Sequence, residues 1–132
     1  MSDPVDDIET WTEHADTARQ KLSPTALKVV LRIGEKWKLT QEGTLALIGL
    51  SKPPSACDVS LDAEQFYRAG LLIEIYKAAH EIFDRPLADS WPSRSNRHPI
   101  FGGVTPIGAM LNGGTGVMVD VLQYLRATQQ GL

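Results

Sequence analysis

Residues 62–83, DAEQFYRAGLLIEIYKAAHEIF, carry an unbroken apolar pattern of helical period. Leu72, Ile75, Tyr76, Ala79, Ile82 and Phe83 form one stripe, and Phe66, Ala69 and Ile73 spread apolar surface around a second side. A helix that is apolar on more than one face is packed from more than one side. This segment is therefore expected to be the longest helix and the centre of an all-α domain. Asp84, Arg85 and Pro86 end the pattern, and a short segment runs on to Trp91.

Toward the N-terminus, Ser23-Pro24 reads as a helix start, a capping hydroxyl followed by proline at the first helical position. Ala26, Val29, Val30, Ile33 and Trp37 then share one face. Thr40 is placed to cap a further helix, with Glu42 at the positive end of its dipole, Leu45 and Ile48 inward and Gly49 as terminator. Two short helices about a glycine turn make a helix-turn-helix candidate. In DNA-binding examples the next helix enters the major groove. Here it would read Lys52-Pro53-Pro54-Ser55-Ala56-Cys57-Asp58, with two prolines and a single base. The motif is retained in outline and depleted in chemistry. The acidic segment 1–22 is either an extra helix around Ile8 and Trp11 or an arm.

Toward the C-terminus, residues 92–103 form a loop rich in turn formers that carries Arg94, Arg97 and Phe101. Thr105-Pro106 repeats the cap-plus-proline signature and starts a short helix through Leu111. Asn112-Gly113-Gly114 is expected to end it and Thr115 to cap the last helix, which presents Val117, Met118, Val121, Leu122 and Leu125 on one face. No strand pattern and no internal repeat is visible.

The 132 residues hold 13 bases and 16 acids, a net charge of −3. A chain of that balance has no overall attraction to a phosphate backbone, so DNA binding would need a local patch. Charge alternates along it: six acids to two bases in 1–23, three to five in 24–60, six to three in 61–90, and one to three from Trp91 on. No apolar run approaches a membrane span, the start is acidic rather than signal-like, and Cys57 is the only cysteine. Together these point to a cytoplasmic domain in a reducing compartment.

Catalytic signatures are weak. His80-Glu81-Ile82-Phe83-Asp84 has the outline of a zinc-binding helix, but aspartate stands where the second histidine belongs. Gly113-Gly114-Thr115-Gly116 could nest an anion, yet no strand precedes it and no P-loop lysine follows. No enzyme, metal or cofactor is expected. The loop between Trp91 and Gly103 is the most unusual feature. Its arginines can present planar donor forks to an acidic partner, and Phe101 serves either as an apolar anchor for that partner or as packing.

The C-terminal pieces, taken in order, resemble the toxin-binding domain of the Xre/MbcA/ParS antitoxin family. They are Trp91-Pro-Ser-Arg-Ser-Asn96, Pro99-Ile-Phe-Gly-Gly-Val-Thr-Pro106, Asn112-Gly-Gly114 and Val121-Leu-Gln-Tyr-Leu-Arg126. The stretches from Ile33 to Thr40 and from Leu47 to Ser51 resemble that family's degenerate helix-turn-helix, and Leu71 to Phe83 its central helix. The resemblance implies residues 23–84 as a helix-turn-helix region with a long central helix, and 85–132 as a toxin-binding subdomain. It implies a homodimeric antitoxin that covers the active site of a RES-domain, NAD-degrading toxin and represses its own operon. The toxin-facing residues expected on that basis are Arg94, Asn96, Arg97, Phe101, Gly102, Gly103 and Leu132. The DNA-facing set would be Lys38, Gln41, Lys52 and Ser55. The family carries a longer aromatic and basic stretch where this chain has residues 52–58. The rival expectation is a transcriptional regulator without a toxin.

Overall fold

The computed structural model describes residues 4–54 and 59–131, with side chains from residue 14 onward. Among them the chain is all-helical: α1 (Pro4–Lys36), α2 (Gln41–Leu47), α3 (Ala63–Ile82), α4 (Arg85–Ser90), a single 3₁₀ turn (Trp91–Ser93) and α5 (Pro106–Gln129). Helix α3 is central, with α1 and α5 packed against it and α4 at its C-terminal end. Its burial follows from the two-sided apolar pattern. Leu72, Ile75 and Ala79 are fully enclosed, and Val30 of α1 and Met118, Val121 and Leu125 of α5 complete the core around them. No helix of the described residues is long and apolar enough to cross a membrane.

The ends of α3 obey local rules. The Asp62 carboxylate accepts from the Gln65 amide at 2.7 Å, and the Gln65 side chain accepts from the Asp62 amide at 3.0 Å. This reciprocal capping satisfies two amides that the helix leaves free. At the other end Asp84 caps α4, accepting from the Leu87 amide.

Ser23-Pro24 does not start a helix. Helix α1 runs straight through Pro24 for 33 residues, so it, and not the 20-residue α3, is the longest helix. A proline inside a helix removes one ladder bond and costs about 3 kcal/mol. Tertiary contact outweighs that here. Ser23 is completely buried, its hydroxyl donating to the Arg19 carbonyl at 2.7 Å and accepting from the Leu61 amide at 3.2 Å. The hydroxyl is engaged behind itself and across the fold, so it is not available to cap the turn ahead. Residues 14–22 are exposed except Arg19, which is half-buried; the helix joins the core at Ser23 and Leu27.

Thr40 caps α2 as its position implied, accepting from the Gly43 amide at 3.0 Å. Leu45, Leu47 and Ile48 turn inward, and Gly49, at φ +84°, terminates the helix in the left-handed region. Helices α1 and α2 touch where Gly34 meets Thr44; a Cβ at Gly34 would overlap the buried Thr44 side chain. Only hydrogen at that position lets the two helices close.

The expected break at Asn112-Gly113-Gly114 is present: the run Pro106–Gln129 is two helices joined across a kink at Gly114. Gly114 alone leaves helical geometry, at φ +68° and ψ −148°. The Thr115 hydroxyl, expected to cap the second half, reaches across to α3 instead: it accepts from Arg68 Nε at 2.9 Å and donates to Glu64 at 3.1 Å. The Arg68 guanidinium also lies against Gly114, where a Cβ would come within 2.9 Å of it. Thr105 does cap α5, accepting from the Gly108 amide at 3.0 Å.

Candidate functional site

The connection from Arg94 to Val104 is a structured loop. Asn96 and the segment 103–104 exchange two backbone hydrogen bonds, Asn96 amide to Val104 carbonyl and Gly103 amide to Asn96 carbonyl, both 3.1 Å. The Asn96 side chain accepts from the His98 amide at 2.9 Å, and the His98 carbonyl accepts from Phe101 at 2.9 Å. An asparagine at 96 is what this geometry needs, because a short side-chain carbonyl can imitate a turn of backbone. Gly102 and Gly103 sit at φ +60° and +85°, and nothing lies within 4 Å of where a Cβ would be. Their glycines answer a backbone requirement and face open space.

Phe101 holds the loop down from below. It is 2% exposed, with its ring edge-on to Trp91 at 6.2 Å and to Tyr124 at 5.7 Å. Trp91 in turn meets Phe83 at the end of α3, and His98 packs on Tyr124 at 4.5 Å. Edge-to-face aromatic pairs of this kind add about 0.5–1.5 kcal/mol each beyond burial. Of the two roles open to Phe101, packing is the one the structure displays; its ring is not at the surface as an anchor. The surface of the loop carries two arginines: Arg94, Arg97, His98, Gly102 and Gly103 are exposed, as is the apolar Val104, and Asn96 is half-buried. Neither Arg94 nor Arg97 forms an ion pair among the described residues.

Beside the loop, on the C-terminal half of α5, His98, Ile100, Asp120, Gln123, Tyr124, Ala127 and Thr128 line a groove of about 520 Å³. Sequence reasoning did not single out His98 or Tyr124 as parts of a surface. The available signal was the spacing of Asp120, Gln123, Ala127 and Thr128, which share one polar side of the last helix. Leu132, expected to face a partner, lies outside the described residues.

Three of the four expected DNA-facing residues lie among the described residues. Lys38 precedes α2, Gln41 is its first residue and Lys52 lies beyond its far end, all three exposed. The helix expected from Lys52 to Asp58 is not formed where the chain is described: residues 51–54 are non-helical, Pro53 and Pro54 having no amide to give to a helical ladder. Ser55, Ala56, Cys57 and Asp58 lie outside the described residues. Among the described residues no helix lies between α2 and α3.

The zinc-like outline dissolves in the same way. His80 Nδ1 pairs with the Tyr76 carbonyl at 2.9 Å and Nε2 with Asp89 at 3.1 Å, while Asp84 is engaged as the α4 cap. Burial raises the Tyr76 phenol above its ordinary pKa, Asp89 adds to the rise, and Arg85 partly opposes it.

No family model, curated protein or solved structure matches this chain.

Proposed function

We propose that this chain is an antitoxin that binds a RES-domain, NAD-degrading protein toxin and covers its active site, with the Arg94–Val104 loop and the adjoining face of α5 as the contact surface. The order of motifs from Trp91 to Arg126 supports the reading, as does the character of the loop. The single observation that carries it is a loop locked from inside by Phe101, Trp91 and Tyr124 while two arginines on its surface lack a carboxylate partner among the described residues.

A rigid loop loses little entropy on binding, and unpaired guanidinium groups have forks ready for a partner's carboxylates. The partner surface is therefore acidic where it meets Arg94 and Arg97. The half-buried Asn96 and the two positive-φ glycines hold the loop in shape, and the groove beside Tyr124 receives a side chain of the toxin. Phe101 acts through the shape of the loop. The test is co-purification with a RES-domain protein encoded next to it. The wild-type chain forms a stable complex, and Arg94→Ala/Arg97→Ala, which touches no packed contact, loses it. Retention of full affinity by that variant overturns the assignment of the surface.

A further inference from the structure

The end of α1, the turn after it and the helix α4, which lies just before the Arg94–Val104 loop in the chain, border a half-open cavity of about 420 Å³, lined by Lys36, Trp37, Lys38, Pro86, Asp89, Ser90 and Ser93. That volume is within the range of small-molecule sites. Its polar lining holds two ammonium groups and two serine hydroxyls, that of Ser90 donating to the Leu87 carbonyl at 3.5 Å. The one acidic wall residue, Asp89, has an oxygen 3.1 Å from His80 Nε2. Two local features are unexplained by packing. Trp37 is 2% exposed, yet its indole N–H is buried with no acceptor among the described residues. A donor left in that state costs about 1–3 kcal/mol. Lys38 sits at φ +60°, a conformation that lysine adopts at a cost and glycine adopts freely.

We infer that this cavity is a binding site for a small organic oxyanion, its charged group held by Lys36, Lys38 and the serine hydroxyls and its body against Trp37 and Pro86. Lysine serves such a group as a mobile point charge, which suits either phosphate or carboxylate. A bare inorganic ion fills only a fraction of the space, so the ligand has a carbon skeleton. This inference does not rest on the antitoxin reading, and no residue of the Arg94–Val104 loop lines the cavity.

The experiment is a titration of the full chain followed by the indole N–H signal of Trp37 in ¹H–¹⁵N spectra, assigned through Trp37→Phe. Ribose 5-phosphate and citrate are the two charged probes, and ribose is the neutral control. Saturable movement of the Trp37 signal with ribose 5-phosphate alone identifies a phosphate ester, with citrate alone a carboxylate, and with both a general oxyanion site; ribose leaves it in place. The variant Lys36→Gln/Lys38→Gly removes both ammonium groups, and glycine at 38 relieves the positive φ, so the fold is retained. Its affinity falls at least about tenfold. A Trp37 signal unmoved by either charged probe, or moved equally in the double variant, overturns the proposal.

Discussion

The Ser23 hydroxyl lies 3.2 Å from the Leu61 amide, 38 positions further along the chain, and it is the point at which the long first helix is tied to the entry of the central one. Because the same hydroxyl donates to the Arg19 carbonyl, one buried atom serves both partners. Ser23→Ala leaves the Leu61 amide buried without an acceptor. Stability is expected to fall by about 1–3 kcal/mol. Urea unfolding of the two proteins measures this, and an unchanged midpoint would contradict the role given to Ser23.

The contact between Gly34 and Thr44 predicts a steric effect. Gly34→Ala forces a methyl group into the Thr44 side chain, and overpacking of this kind costs about 1–3 kcal/mol. Thr44→Ala in the same chain recovers part of that loss. The two substitutions are therefore non-additive in a double-mutant cycle.

The loop separates by what each residue touches. Phe101→Ala removes a buried ring and is expected to cost about 3–5 kcal/mol of stability. Arg94→Ala and Arg97→Ala, both exposed, stay within about 0.5 kcal/mol of wild type. A thermal melt of each protein checks the contrast. It also shows why binding tests belong on the arginines: loss of binding by the Phe101 variant could come from a disordered loop.

Tyr76 predicts a pH effect. Its folded pKa is raised, chiefly by burial, so the native state holds the neutral phenol more firmly than the unfolded chain does. The resulting stability is complete below the unfolded value of about 10 and is lost as pH rises through the higher folded value. Tyr76→Phe has no proton to lose at this position. Comparing the alkaline fall in stability of the two proteins, wild type should decline more steeply above pH 10.

Local chemistry was legible where one short segment decides the outcome. Thr40 and Thr105 start helices because each side-chain oxygen satisfies an amide three residues ahead, and the two-sided apolar pattern of residues 62–83 predicted the central position of α3. Reading failed where a distant partner intervenes. Ser23-Pro24 looks the same at a helix start as in a helix interior, and Leu61 settles which it is. Thr115 looks like a cap until Arg68 and Glu64 claim its hydroxyl. At Phe101 both burial and exposure fit the local sequence, and only the convergence of Trp91 and Tyr124 decides between them. The basic loop was visible as composition; the groove beside it was not, because its lining joins the loop to α5.

The central claim is that this chain neutralises a RES-domain toxin through its basic loop, and cellular NAD is the most direct readout. A RES-domain protein encoded beside it is expressed alone, with the wild-type chain, or with the Arg94→Ala/Arg97→Ala variant. The antitoxin reading predicts that NAD collapses with the toxin alone, holds with wild type and collapses again with the variant. An equal fall in NAD with and without the wild-type chain would contradict it.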